Sequence, residues 1–180
     1  MKKKACVIFC FAVVIYIFPV TAFANDFGNR AISAFQELGK LNDEYRKAFI
    51  SGDRALTGEK GKLLETQRDK VSRILRSLPK EYCADPDMNL LREFIKTLVG
   101  IATSTDEYPT YVFAELYACD PDRVIKEILS LPPGNQKIIC DALDWGFKNI
   151  TYKVESLPDY KELKEKLNNL KSTVRNTSKN

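Results

Sequence analysis

Residues 26–50 have the sequence DFGNRAISAFQELGKLNDEYRKAFI, in which an apolar residue recurs at every third or fourth position. That spacing places the apolar side chains along one side of an α-helix, which Ser51 and Gly52 then end. The same period continues along most of the chain, and apolar and polar residues never alternate for more than a few positions. The sequence therefore predicts an all-α fold. The apolar residues of this first helix are Phe27, Ala31, Phe35, Leu38, Leu41, Tyr45 and Phe49.

Six further stretches carry the helical period. The second helix is expected over residues 59–77, with Leu63 among its inward residues, because Pro79 disfavours helix at the residue before it. It should form an antiparallel hairpin with the first helix. The predicted architecture is a single-domain bundle of about six to seven antiparallel helices over residues 25–171, followed by a flexible polar tail over residues 172–180.

One internal similarity suggests an alternative to an irregular bundle. Residues 82–87 (YCADPD) recur 35 residues later at 117–122 (YACDPD), and residues 74–79 (ILRSLP) are echoed at 128–132 (ILSLP). A spacing in the mid-thirties is typical of two-helix solenoid repeats of the HEAT or TPR type. Alternatively, Asp-Pro-Asp is a good helix start and Ser-Leu-Pro a good helix stop, each used twice independently. Two copies leave both interpretations open.

The first 24 residues have the pattern of a cleaved secretion signal. Three lysines, at positions 2–4, precede an apolar run over residues 5–20, and Ala22-Phe23-Ala24 supplies a small-x-small cleavage motif. We expect an exported protein, periplasmic or secreted, that begins at Asn25 and has no transmembrane segment after cleavage. The whole chain has 28 basic and 24 acidic residues, and removal of the three lysines leaves 25 against 24. A chain so close to neutrality is a poor ligand for nucleic acid.

Three cysteines remain after the signal: Cys83, Cys119 and Cys140. An oxidising compartment favours one disulfide with one cysteine left over, or no disulfide. If the third and fourth helices form an antiparallel hairpin, Cys83 and Cys119 lie at the same end of that pair. We therefore predict a structural disulfide between Cys83 and Cys119, with Cys140 as a buried free thiol. A Cys119–Cys140 bond is the alternative.

The chain contains no histidine. Ser-His-Asp and Cys-His nucleophilic sites, zinc hydrolase sites and acid–base catalysis by histidine therefore have no proton carrier or ligand. No glycine-rich phosphate-binding motif and no calcium-binding loop occurs either. We expect no catalytic residue, no bound cofactor and no metal.

A cluster of aromatic residues supplies the candidate binding surface. Tyr108 and Tyr111 begin a segment of ten residues that also holds Phe113 and Tyr117, and Trp145 is the single tryptophan. Tyrosine and tryptophan are favoured at binding surfaces, although their helical spacing also suits a core. Glu115 lies on the same segment and is the best isolated candidate for a catalytic carboxylate. The alternatives are an exposed carboxylate or one hydrogen bonded to a tyrosine. The predicted surface consists of Tyr108, Tyr111, Glu115 and Trp145.

These observations favour an exported helical binding protein without enzymatic activity, whose partner is another protein of the cell envelope. An inhibitor or immunity-type protein that occludes a toxin or hydrolase is one concrete form. A second hypothesis is a hydrolase of cell-wall glycans, which requires two carboxyl groups about 5 to 9.5 Å apart in a cleft. A third is an envelope scaffold, which should expose a contiguous apolar patch.

Overall fold

The computed structural model of the chain describes residues 21–101 and 107–177, and the side chains of all these residues except 21–25 and Tyr152. Within these ranges the secondary structure consists of seven helices of nine or more residues, one single helical turn and no strand. The predicted all-α bundle is confirmed. The helices are α1 (Thr21–Ser51), α2 (Arg54–Ala84), α3 (Met88–Ile101), α4 (Tyr108–Cys119), α5 (Pro121–Leu129), α6 (Pro133–Asn149), α7 (Thr151–Val154) and α8 (Tyr160–Thr177).

The predicted signal segment lies outside the described residues as far as position 20. None of the helices in the described ranges combines the length and the apolarity needed to cross a membrane.

The central element of the bundle is α4. Its sequence, YPTYVFAELYAC, has apolar residues on every side, which is typical of a helix enclosed by others. Its side chains from Val112 to Tyr117 are buried with the single exception of Glu115. The helices that pack most extensively against it are α6 and α2. Because other helices cover most of its surface, contacts with those helices fix the position of α4.

Two series of contacting aromatic rings include residues of α4. In the first, Phe35 of α1 lies 5.7 Å from Phe94 of α3, whose ring centre is 5.9 Å from that of Phe113 on α4. In the second, Tyr117 of α4 lies 5.7 Å from Phe147 of α6, which in turn stacks on the first residue of α8. Edge and tilted ring contacts of this kind add to the area that the rings bury. They connect α1, α3, α6 and α8 through one helix.

The structure contains the predicted disulfide between Cys83 and Cys119, with Cα atoms 5.7 Å apart, and Cys140 is a buried free thiol. The geometry behind this bond differs from the expected hairpin of the third and fourth helices. Cys83 lies in the last turn of α2 and Cys119 ends α4, so the bond joins the C-terminal ends of these two helices. The main packing partners of α4 are α6 and α2 instead of α3.

The second helix continues through Pro79 to Ala84, seven residues past its predicted end at Ser77. A proline inside a helix costs about 3 kcal/mol, because it removes a backbone donor and crowds the preceding turn. Here the side chains of Leu78 and Tyr82 are fully buried on either side of Pro79, and the disulfide holds the last turn. Tertiary contacts therefore keep a helical turn that the local sequence disfavours.

The two Asp-Pro-Asp segments differ in register. In the first, Asp85 ends α2, and Asp87 caps α3 by accepting a hydrogen bond from the Asn89 backbone N–H at 2.7 Å. In the second, Asp120 both ends α4 and caps α5. The segments lie side by side, since Arg123 donates a hydrogen bond to the Pro86 carbonyl at 3.0 Å. This adjacency does not distinguish a true repeat from two independent helix starts, and the repeat stays a prediction.

The last helix, α8, extends to Thr177. The sequence predicts a flexible tail from Ser172 onward, so the helix continues into the first part of that tail. Val174 continues the spacing of the preceding leucines by four residues and is buried. That burial supports one more turn and a half of helix than the leucine pattern alone indicates. Residues 178–180 lie outside the described ranges.

The first two helices form the predicted antiparallel hairpin. Gln67 of α2 donates a hydrogen bond to the carbonyl of Ala34 on α1 at 2.8 Å. Farther from the bundle, Lys60 of α2 forms an ion pair with Glu44 of α1, also at 2.8 Å. The later residue of α1 thus pairs with the earlier residue of α2, as antiparallel helices require.

The outer part of this hairpin, residues 42–63, projects beyond the bundle, and we call it the arm. Among these residues only Ala48 is buried. Phe49 and Leu63, which the helical period predicts to face the core, are 67% and 45% exposed. That prediction is wrong because no third helix covers the arm among the described residues. Ile138 of α6 is exposed as well.

Tyr82 and Tyr117 occupy matching positions before the two Asp-Pro-Asp segments, and both are fully buried. The hydroxyl of Tyr117 donates a hydrogen bond to the carbonyl of Leu163 at 2.6 Å. The hydroxyl of Tyr82 has no partner among the described residues. Burial, assisted by the negative charge of Asp120, raises the pKa of Tyr82 to about 12. The stability that the neutral phenol contributes is therefore complete below its ordinary pKa of about 10 and is lost as the pH rises through 12.

We expect Tyr82→Phe and Tyr117→Phe to differ in their effect on the free energy of unfolding. Removal of the partnerless Tyr82 hydroxyl should leave the free energy of unfolding unchanged or raise it by up to about 1 kcal/mol. Removal of the Tyr117 hydroxyl should lower it by about 1 to 2 kcal/mol, because a buried hydrogen bond is lost. Urea denaturation at pH 7 measures both values. An equal loss in the two variants would contradict the difference in hydrogen bonding between the two hydroxyls.

The disulfide should contribute strongly to stability, because it links residues 36 positions apart. The chain-entropy model gives about 4 kcal/mol for a loop of this length. We expect the Cys83→Ser/Cys119→Ser double variant to lose about that amount in guanidinium denaturation. Dithiothreitol should lower the midpoint of the wild type and leave the double variant unaffected. Cys140→Ala, which keeps the disulfide, is the control and should remain sensitive to dithiothreitol.

Candidate binding sites

The predicted binding surface lies on α4 and α6. Tyr108, Tyr111 and Glu115 are three and four residues apart and share one face of α4, whereas Trp145 lies on α6. Tyr108 and Trp145 are 40% and 49% exposed, so both present aromatic area to solvent. Tyr111 is half-buried, and its hydroxyl donates a hydrogen bond to Oε2 of Glu107 at 2.7 Å.

Close contact between α4 and α6 positions Trp145. The neighbouring residue Gly146 lies so near α4 that a Cβ atom there would be 2.0 Å from the carbonyl oxygen of Thr110 and 3.3 Å from the Cβ atom of Ala114. Only glycine permits two helices to approach to this degree. The exposed indole is therefore carried on a rigidly packed part of α6.

Glu115 is a partly buried carboxylate that an ion pair holds in place. It pairs with the ammonium group of Lys153 on α7, and its side chain is 27% exposed. The pair explains how a carboxylate is accommodated on an otherwise apolar helix, since the opposite charge offsets part of its desolvation. Glu115 connects α4 to α7 in this structure.

A second candidate surface is the tip of the arm. Phe49 and Ile50, in the last turn of α1, are 67% and 74% exposed, and Leu56 across the turn is 38% exposed. Gly52 makes the turn between the helices with φ of +73°, a conformation that glycine adopts without strain. The ring of Phe49 stacks on that of Tyr45 at 6.4 Å, which orients it along the arm.

The arm tip is also basic. Arg46, Lys47 and Arg54 surround the apolar residues, and all three side chains are exposed. Asp53 is the one acidic residue between positions 45 and 56, and its carboxylate is engaged in capping α2 through the backbone N–H of Leu56 at 2.9 Å. The tip therefore combines apolar side chains with an excess of positive charge.

A third feature is an open cavity of about 290 Å³ at the base of the arm. Its walls come from α1, α2 and the C-terminal half of α3, and its floor is largely apolar. Glu93 is the single carboxylate that lines it, and Lys96 already pairs with that carboxylate at 2.6 Å. This cavity does not supply the two carboxyl groups that the glycan hydrolase hypothesis requires.

No group of three or more cysteine, aspartate or glutamate side chains in residues 21–101 and 107–177 is placed to hold a metal ion. The thiol of Cys140 is buried, and burial together with the nearby Asp141 raises its pKa to about 11. A thiol in that environment stays protonated near neutral pH and is a poor nucleophile.

Comparison with known proteins does not place the chain in a family. No protein-family model matches it, and neither a curated protein nor a solved structure resembles it significantly.

Sequence reasoning did not find the arm tip or the cavity. A signal for the tip was present, because Phe49 and Ile50 are adjacent and cannot both face the same side of a helix as Tyr45. The cavity had no comparable signal. It depends on where three separate helices diverge, which the period of one helix does not reveal.

We expect Gly146→Ala to lower the free energy of unfolding by about 3 kcal/mol, because the added methyl group overlaps the backbone of Thr110 and forces α4 and α6 apart. The fluorescence of Trp145, the one tryptophan of the chain, should change as its surroundings shift. Gly58→Ala is the matched control. A Cβ atom at Gly58 meets nothing within 4 Å, so this variant should gain about 0.5 to 1 kcal/mol. Equal stability of the two variants would refute the close contact.

Proposed function

We propose that this chain is an exported, non-catalytic helical binding protein that contacts another protein of the cell envelope through the tip of the arm. The observation that carries the proposal is the exposure of Phe49 and Ile50, at 67% and 74%, on the end of a projecting hairpin. Exposed apolar area costs free energy in water and does nothing for folding here. Contiguous apolar residues on a monomer surface usually mark a docking site.

The charges at the tip define the chemistry of the partner. With Arg46, Lys47 and Arg54 around the apolar residues, the complementary surface is an apolar pocket with carboxylates at its rim. A narrow arm of two helices suits insertion into a cleft better than apposition of two flat faces. This shape agrees with an inhibitor or immunity-type protein that occludes the active site of a hydrolase or toxin.

Export is supported by two independent features. The N-terminal residues have the charge, length and cleavage motif of a signal. The Cys83–Cys119 bond is typical of proteins in an oxidising compartment.

A scaffold is the second candidate function, and a specific observation favours it. Trp145 and Tyr108 expose aromatic area on the bundle, away from the arm tip. Two separate surfaces would allow the chain to connect two envelope proteins, whereas an inhibitor needs one.

The arm can be tested by site-specific photocrosslinking in intact cells. A photoreactive phenylalanine analogue at Phe49 should form an adduct with one protein, identifiable by mass spectrometry. The same analogue at Leu157, which is 40% exposed and lies between α7 and α8, remote in sequence from the arm, is the control and should give no such adduct. Lys47→Glu, introduced together with the analogue at Phe49, should reduce the yield of this adduct at least fivefold. The substitution replaces a positive charge that complements the carboxylates of the partner.

Ile50→Ser should likewise reduce the yield of the Phe49 adduct at least fivefold. It should change the free energy of unfolding by no more than about 0.5 kcal/mol, since the Ile50 side chain is exposed. Adducts confined to lipid, adducts only with a second copy of the chain, or equal adducts at Phe49 and Leu157 would each overturn the proposed role of the arm. A partner captured at Trp145 as well as at Phe49 would favour the scaffold.

A further inference from the structure

The cavity at the base of the arm has a largely apolar lining. Phe35 and Leu38 of α1 and Leu64 of α2 line it and belong to the hydrophobic core. A volume of about 290 Å³ lies at the small end of the range of roughly 300 to 1,000 Å³ found for ligand sites. It suits one short aliphatic chain and is too small for a helix of a partner protein.

Two glycines keep the cavity open. Gly39 of α1 and Gly100 of α3 both line it, and a Cβ atom at either position would meet nothing within 4 Å. A larger side chain at either position would therefore occupy open space at the cavity without displacing the surrounding structure.

The lining of the cavity carries three cations, Lys40, Arg68 and Lys96, and one carboxylate, Glu93. Lys40 and Arg68 are exposed at its edge, and neither lies within ion-pair distance of a carboxylate of the described residues. Glu44, one turn from Lys40, is instead paired with Lys60 at 2.8 Å. The remaining cation, Lys96, is paired with Glu93 at 2.6 Å. The lining thus has more positive than negative charge, which favours an anionic group.

We propose that this cavity binds a small amphiphile with an aliphatic chain and one anionic head group, a carboxylate or a phosphate. The chain lies within the apolar lining of the cavity, where its own hydrocarbon surface is removed from water. The head group remains at the opening between Lys40 and Arg68, and the guanidinium group of Arg68 offers paired donors to its oxygens. This site is separate from the arm tip, so either proposal stands if the other fails.

Titration calorimetry on the full mature chain tests the proposal with three probes that share a ten-carbon aliphatic chain and differ in their head groups. Decanoate should bind at least tenfold more tightly than decyltrimethylammonium, which has the same chain length and the opposite charge. A lysophosphatidylglycerol with a decanoyl chain distinguishes the source, since preference for it indicates a phospholipid and preference for decanoate a free fatty acid. Equal affinity for the anionic and cationic probes, or no binding of either anionic probe, would overturn the proposal.

Variants locate the site. Gly100→Leu and Gly39→Leu should weaken decanoate binding at least tenfold without lowering the melting temperature, because leucine is a better helix former than glycine and fills empty space. Gly58→Leu is the matched control on the arm and should leave binding unchanged. Lys40→Glu/Arg68→Glu should reverse the preference between decanoate and decyltrimethylammonium. Unchanged decanoate binding in both cavity-filling variants would show that the ligand lies elsewhere.

Discussion

Burial of α4 is the constraint on which the rest of the structure depends. Its apolar residues point in every direction, so they remain in contact with water unless other helices cover all sides. The rings of Phe113 and Tyr117 connect it to α3 and α6, the Tyr117 hydroxyl connects it to α8, and Cys119 bonds it to α2. The contact at Gly146 brings α6 closer to it than any other residue would permit. Displacement of α4 would therefore disturb most of the bundle.

The difference in length between helices creates both proposed sites. With 31 residues each, α1 and α2 are about 46 Å long, whereas the 14 residues of α3 span about 21 Å. The hairpin must therefore extend past the helices that cover it. Its uncovered end is the arm, and the cavity lies where α3 ends against the hairpin. Ligand in the cavity would contact both arm helices at their base, which places the two sites on one rigid unit without making them one site.

Much of the fold follows from local pattern. The two Asp-Pro-Asp segments place the starts of α3 and α5 within a few residues. The cap at Asp53 begins α2 five residues before the start that the helical period predicts. The exception at Pro79 is informative, because the local signal to stop is real and a buried Tyr82 with a disulfide beyond it overrides that signal. The disulfide pairing was predictable although the hairpin expected to explain it does not form. Any arrangement that brings together the ends before the two Asp-Pro-Asp segments also brings together their cysteines.

By itself the sequence determined the fold class and favoured the Cys83–Cys119 pairing over its alternative, since both follow from residue type and spacing along the chain. Tertiary structure alone decided which apolar residues are covered. Phe49 and Leu63 fit the helical period as well as Phe35 does. They are nevertheless exposed, because they lie in the part of the hairpin that extends past the other helices. The period of the apolar residues indicates which side of a helix is apolar. Whether another helix reaches that side depends on relative lengths and crossing points, which are properties of the assembled bundle.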